Sequence, residues 1–230
     1  MGIVRPATVL FTACIAALLP SSGCSSKEGP EELADPDLPV VATNPDGVPY
    51  PTDRLGGQER RRGSPGDRIP NLTFRAYRSG RAGGLETVSL AEYYDPGARR
   101  HKVLHVQLAA TWCAVCSSEL SATVPVAAPL REEGVVFVEV IVSGQTPGAG
   151  PSLAEVDAWV DRHGTTFPTA IDVRARRLGP LGVSGAVMPH DILVDTRTME
   201  ILDSSVGAPL DVAVYVRDGL RFVAENPPSY

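Results

Sequence analysis

The sequence predicts an α/β domain, a central mixed β-sheet flanked by helices on both faces, and three observations carry that expectation. Residues 102–108 and 135–142 (VVFVEVIV) are apolar runs of the buried-strand kind, separated by one helix-length segment. Strand, helix, strand is the unit that builds a parallel pair through a right-handed crossover. Residues 192–194 and 199–202 flank Asp195-Thr196-Arg197 in the pattern of an antiparallel hairpin, which makes the sheet mixed.

Taken in order, the chain opens with one cation, Arg5, followed by an apolar stretch at 7–19 that is too short to be a permanent membrane span. Residues 1–23 therefore read as an export signal. Ser21-Ser22-Gly23-Cys24 resembles the bacterial lipobox, which makes Cys24 the expected lipidation site; an ordinary secretory signal with an incidental cysteine is the alternative. Residues 24–63 are rich in Pro, Gly, Asp and Glu without an apolar period, the composition of a flexible tether. Residues 64–226 form the expected globular domain and 227–230 a tail. Hydrophobic residues make up 43% of the 230, enough for one sizeable core. The net charge of −6, with both signs interspersed, provides no basic face for nucleic acid.

Within the domain, turn signals at Pro65-Gly66-Asp67 and Ile69-Pro70 precede a first strand at 72–77. A helix is expected at 113–132. Ser152-Leu153-Ala154-Glu155 is a capping-box pattern, with Val156, Trp159 and Val160 on one face and Gly164 as a stop, which predicts a helix at 152–163. Pro209 can begin a last helix at 209–224, in which Val212, Val216, Leu220 and Val223 recur at helical spacing.

Once the leader is set aside, Cys113 and Cys116 are the only close cysteine pair. So short a loop is a poor staple, because it hardly constrains the unfolded chain, and its purpose is chemical. Thiol-disulfide exchange needs an exposed thiolate, a resolving thiol nearby, and a setting that lowers the first thiol's pKa. Cys113-Ala114-Val115-Cys116 at a strand-to-helix turn supplies these, since the helix N-terminus favours negative charge. Cys113 is the expected nucleophile and Cys116 the resolver. Structural zinc is not expected: no second cysteine pair exists, and His101, His105, His163 and His190 are scattered. No bound cofactor is expected beyond the redox-active disulfide itself. The alternative from another class is a copper-handling module with Cys113, Cys116 and Met188 or His190 as soft ligands for Cu(I).

Residues 65–224 resemble the TlpA/ResA-like thioredoxin-fold proteins, tethered disulfide reductases of the bacterial cell envelope. The resemblance rests on Gly66-Asp67-Arg68-Ile69-Pro70, on Ala110-Thr111-Trp112-Cys113-Ala114-Val115-Cys116, and on Gly185-Ala186-Val187-Met188-Pro189 leading into Asp191-Ile192-Leu193-Val194. It implies a thioredoxin-like fold, a cis-proline at Pro189 beside the sulfurs, and client contact through Trp112, Met188 and Pro189. It also implies a functional carboxylate at Glu119, one helical turn after Cys116, where a plain surface glutamate is the alternative. Gln107 stands where cytoplasmic thioredoxins place a buried acid. The implied partners are an exported cysteine-containing client and a membrane-embedded electron donor, with the chain lipid-anchored on the periplasmic side. Val115 replaces a proline common in relatives, and Pro125 and Pro129 are displaced from the usual kink. A peroxiredoxin would need Thr or Ser three residues before its reactive cysteine, where Ala110 stands before Cys113. No cation lies between the cysteines to stabilise a thiolate strongly, which favours reduction over oxidation of clients.

Overall fold

A computed structural model describes Gly2 and residues 31–53 and 63–228 of the chain. The residues read as an export signal, apart from Gly2, and the expected lipidation site Cys24 lie outside the described residues. Among the described residues seven strands and three α-helices follow in order: β1 (Thr73–Tyr77), β2 (Glu86–Ser89), β3 (Val103–Ala110), α1 (Ala114–Glu133), β4 (Val135–Ser143), α2 (Leu153–His163), β5 (Thr169–Ile171), β6 (His190–Asp195), β7 (Glu200–Val206) and α3 (Val212–Glu225). They form one sheet in the order β2-β1-β5-β4-β3-β6-β7. β3 pairs parallel with β4 and antiparallel with β6, so the strand that delivers the cysteines is central and fully buried. Among the described residues no helix is long and apolar enough to cross a membrane.

Period-two alternation sorts the strand side chains into two cores. Leu104, Val106, Leu108, Val136, Val138, Ile192 and Val194 share one cluster with Leu90, Leu178 and Leu181, which lie on or beside short 3-10 turns. Val103, Ala109, Phe137, Ile141 and Leu193 share the other with Leu120 and Leu130 of α1, Val156 and Trp159 of α2, and Val216 and Val223 of α3. Among the described residues helical cover thus lies on both faces, but unevenly: the three α-helices occupy one face, and 3-10 turns and loops cover the other.

Local chemistry sets the helix ends. Ser152 and Glu155 make the reciprocal capping box that opens α2, and Gly164, at φ 61°, closes it in the left-handed conformation. α1 ends at Gly134, φ 104°, and continues through Pro125 and Pro129. α3 begins later than its sequence suggests, because the side chain of Asp211 accepts from Val214 N at 3.0 Å and so caps a helix that starts at Val212.

The stretch read as a solvated tether differs over 31–53, where it lies along the domain. Tyr50 is buried and donates its hydroxyl to Ile69 O at 2.7 Å, and Asn44 donates to Tyr94 O at 2.9 Å. Acids that looked like solvated charge find partners: Glu32 pairs with Arg174, and Asp35 with Arg176 and Arg177. Isolated anchors of this kind leave no periodic trace in a sequence.

Candidate active site

β3 ends at Ala110, and the chain turns through Thr111 and Trp112 into α1, which places the cysteines at the helix N-terminus. Cys113 is the N-cap, and its Sγ accepts from Cys116 N at 3.0 Å. The two are joined as a disulfide with Cα atoms 5.3 Å apart. Trp112 is fixed by donation from Nε1 to Ser143 Oγ at 3.2 Å and packs, as does Met188, against the cluster that holds both cysteines. The peptide bond between Met188 and Pro189 is cis, and Pro189 O accepts from Gly207 N at 2.9 Å.

Cys113 was expected to be exposed. In the disulfide form it is only 4% exposed, because Trp112 and Met188 pack against its cluster; the exposed residues of this turn are Ala114 and Val115. Glu119, whose alternative was a surface role, is also only 4% exposed. Cys116 and Glu119 sit on the buried side of α1, three residues and so about one turn apart.

Beneath α1 the sheet carries a polar row that the apolar runs conceal. Gln107 on β3 is flanked in register by Glu139 on β4 and Asp191 on β6, and His105 lies two residues before it on the same face. His105 Nε2 and Asp191 Oδ1 are 2.7 Å apart, and Trp159 donates to Glu139 Oε1 at 2.9 Å. Glu119 reaches down to this row, with a carboxyl oxygen within 4.8 Å of Asp191 and His105, and both of its oxygens are buried without a hydrogen-bond partner. Burial, reinforced by the neighbouring Asp191 carboxylate, pushes Glu119 up to about 9. Burial also pushes Glu139 up to about 8, although the Trp159 hydrogen bond works against it. Glu119 further lines a groove of about 390 Å³ between α1 and the β7–α3 connection, together with Val115, Ser118, Pro209 and Leu210.

The structure therefore brings together Cys113, Cys116, Trp112 and Met188 in one cluster, with Glu119 behind the disulfide. His190, the optional copper ligand, instead lies with its Nε2 3.0 Å from Ser204 Oγ. Cys24 lies outside the described residues. Sequence reasoning missed Asp191, Glu139 and the place of His105. Their only signal is a polar residue inside a buried strand, which acquires meaning once strand register sets them beside Gln107.

Residues 65–201 match the AhpC/TSA family. No curated protein matches the chain. Among solved structures, a putative thiol:disulfide interchange protein DsbE from Chlorobium tepidum is similar with a TM-score of 0.53 at 18% identity, covering 70% of this chain and 97% of its own. A putative protein disulfide isomerase from Bacteroides thetaiotaomicron has a TM-score of 0.51 at 18% identity, with coverages of 72% and 91%. Mycobacterium tuberculosis AhpC has a TM-score of 0.54 at 16% identity, with coverages of 72% and 96%. These likenesses establish a thioredoxin-like fold.

Proposed function

This chain belongs to the AhpC/TSA family, and from that premise we propose that it is a cell-envelope thiol-disulfide oxidoreductase that reduces disulfides in exported client proteins. The observation that carries this reading is a disulfide at a helix N-terminus with a buried carboxyl group one turn behind it. In the reducing direction, the Cys113 thiolate attacks one sulfur of a client disulfide. A Cys113–client bond forms, the client disulfide breaks, and the released client thiolate takes a proton from water. Cys116 then gives its proton to the Glu119 carboxylate, and its thiolate attacks Cys113 Sγ. The Cys113–client bond breaks, and the second client thiolate is protonated in turn. The client has gained two electrons, Cys113 and Cys116 are joined, and Glu119 holds a proton. A raised Glu119 in the disulfide form suits that end state. A membrane-embedded dithiol donor returns two electrons, and Glu119 returns the proton to Cys116.

Trp112, Met188 and Pro189 form the client-facing surface in this reading, and the half-exposed Val115 and Val187 supply apolar contact beside it. Ala110 leaves no hydroxyl three residues before Cys113, which sets the reading apart from peroxide reduction.

Glu119→Gln tests the proton step. The substitution removes a carboxylate that repels a forming thiolate, so thiol titration should move to lower pH, while exchange slows by roughly tenfold to a hundredfold because the base is gone. Titration by thiolate absorbance, together with single-turnover exchange rates, reads both effects; superimposable curves and equal rates would remove Glu119 from the chemistry.

The localisation proposed is the periplasmic side of the envelope, held by acylation of Cys24. Because two or more acyl chains anchor far more firmly than one, the full chain should sediment with membranes and Cys24→Ala should not. A wild-type protein found wholly in the soluble envelope fraction would contradict this.

A further inference from the structure

Outside the cysteine pair, a set of buried titratable side chains gathers below α1. The nearest polar atoms of His105, Glu119 and Asp191 lie within 4.8 Å of one another, on β3, α1 and β6. One Asp191 oxygen faces the His105 ring nitrogen at 2.7 Å. The other, with both oxygens of Glu119, is buried without a hydrogen-bond partner. Two carboxyl groups thus face each other in a water-poor interior, where two negative charges at that distance repel and a proton between them is held tightly. His105 faces Asp191 and not Glu119, so Glu119 is the carboxyl left without a partner, and burial beside Asp191 raises it.

We propose that Asp191 and His105 are positioning residues for the exchange reaction: the His105–Asp191 pair holds a carboxylate against Glu119 and thereby keeps on Glu119 the proton that Cys116 releases and recovers. The proposal rests on the role of Glu119 given above. In each cycle the proton moves only between Cys116 Sγ and the Glu119 carboxyl, and the pair sets how tightly it is held. Other titratable groups face the cluster without taking this role. Glu139 on β4 is tied to Trp159, Tyr215 on α3 packs edge-on to the His105 ring and donates to Asp203 on β7, and His190 on β6 is turned to Ser204. Asp211, on the far side of the groove, caps α3.

The test follows the Glu119 carboxyl carbon by NMR in the oxidised protein over a pH series, together with the pH profile of single-turnover exchange. In Asp191→Asn, where an amide replaces the carboxylate, the Glu119 midpoint should fall by more than one pH unit and the exchange profile should move the same way. Should that variant fail to fold, His105→Leu removes the anchoring nitrogen, leaves the proton shared between two carboxyl groups, and should split the Glu119 titration into two steps. A Glu119 titration unchanged in a folded Asp191→Asn or His105→Leu protein would overturn the proposal while leaving Glu119 in place. An exchange profile unaffected by Glu119→Gln would overturn both readings.

Discussion

Cys116→Ser is expected to abolish multiple turnover, by on the order of 10³ or more, and to leave the protein covalently joined to clients through Cys113. Attack by Cys113 consumes the client disulfide and creates a mixed disulfide that only Cys116 stands close enough to resolve, its backbone N–H lying 3.0 Å from Cys113 Sγ. Cys113→Ser should lose the same activity and form no such adduct, since Cys116 is wholly buried and has no route to a client. Non-reducing electrophoresis of both variants after alkylation separates the roles. Adducts in Cys113→Ser and none in Cys116→Ser would reverse the assignment.

The second large effect is on stability. Burial raises Glu139 to about 8 and, with Asp191, raises Glu119 to about 9, against the ordinary glutamate value of 4.5. A raised carboxyl binds its proton more tightly when folded than when unfolded. Its contribution is therefore fully present below the unfolded pKa and is lost as pH rises through the folded one. Between pH 5 and pH 9 the wild type should lose stability, on the order of a few kcal/mol for each group. Glu139→Gln mimics the neutral acid, and its carbonyl can still accept from Trp159. Its unfolding midpoint should stay near wild type at pH 5 and exceed it by about 10 °C at pH 9. Thermal unfolding followed by circular dichroism at both pH values reads this difference, and an equal offset at both would show that Glu139 does not carry the proton.

These predictions show which residues spoke in the sequence and which did not. β3, β4, α1 and α2 were legible within a residue or two, because long apolar runs and a capping box each encode one answer. β2 and β5, of four and three residues, were not, since such short strands draw stability from their neighbours. The cysteine pair was legible from spacing alone, whereas cis-Pro189 and Glu119 came only through the family resemblance. That Glu119 would be buried, and that Asp191 and His105 would meet it, depends on the antiparallel register of β6 against β3. A single sequence does not print that register.

The central claim is that Cys113 and Cys116 cycle as a client-reducing pair, and the reduction potential of the purified domain tests it most directly. With only Ala114 and Val115 between the cysteines and a carboxyl group behind them, the thiolate form gains little stabilisation. Equilibration with dithiothreitol or glutathione at pH 7 should therefore place the couple at or below about −220 mV, toward the thioredoxin end of the range. A value near about −120 mV, the range of strong oxidants, would contradict the account.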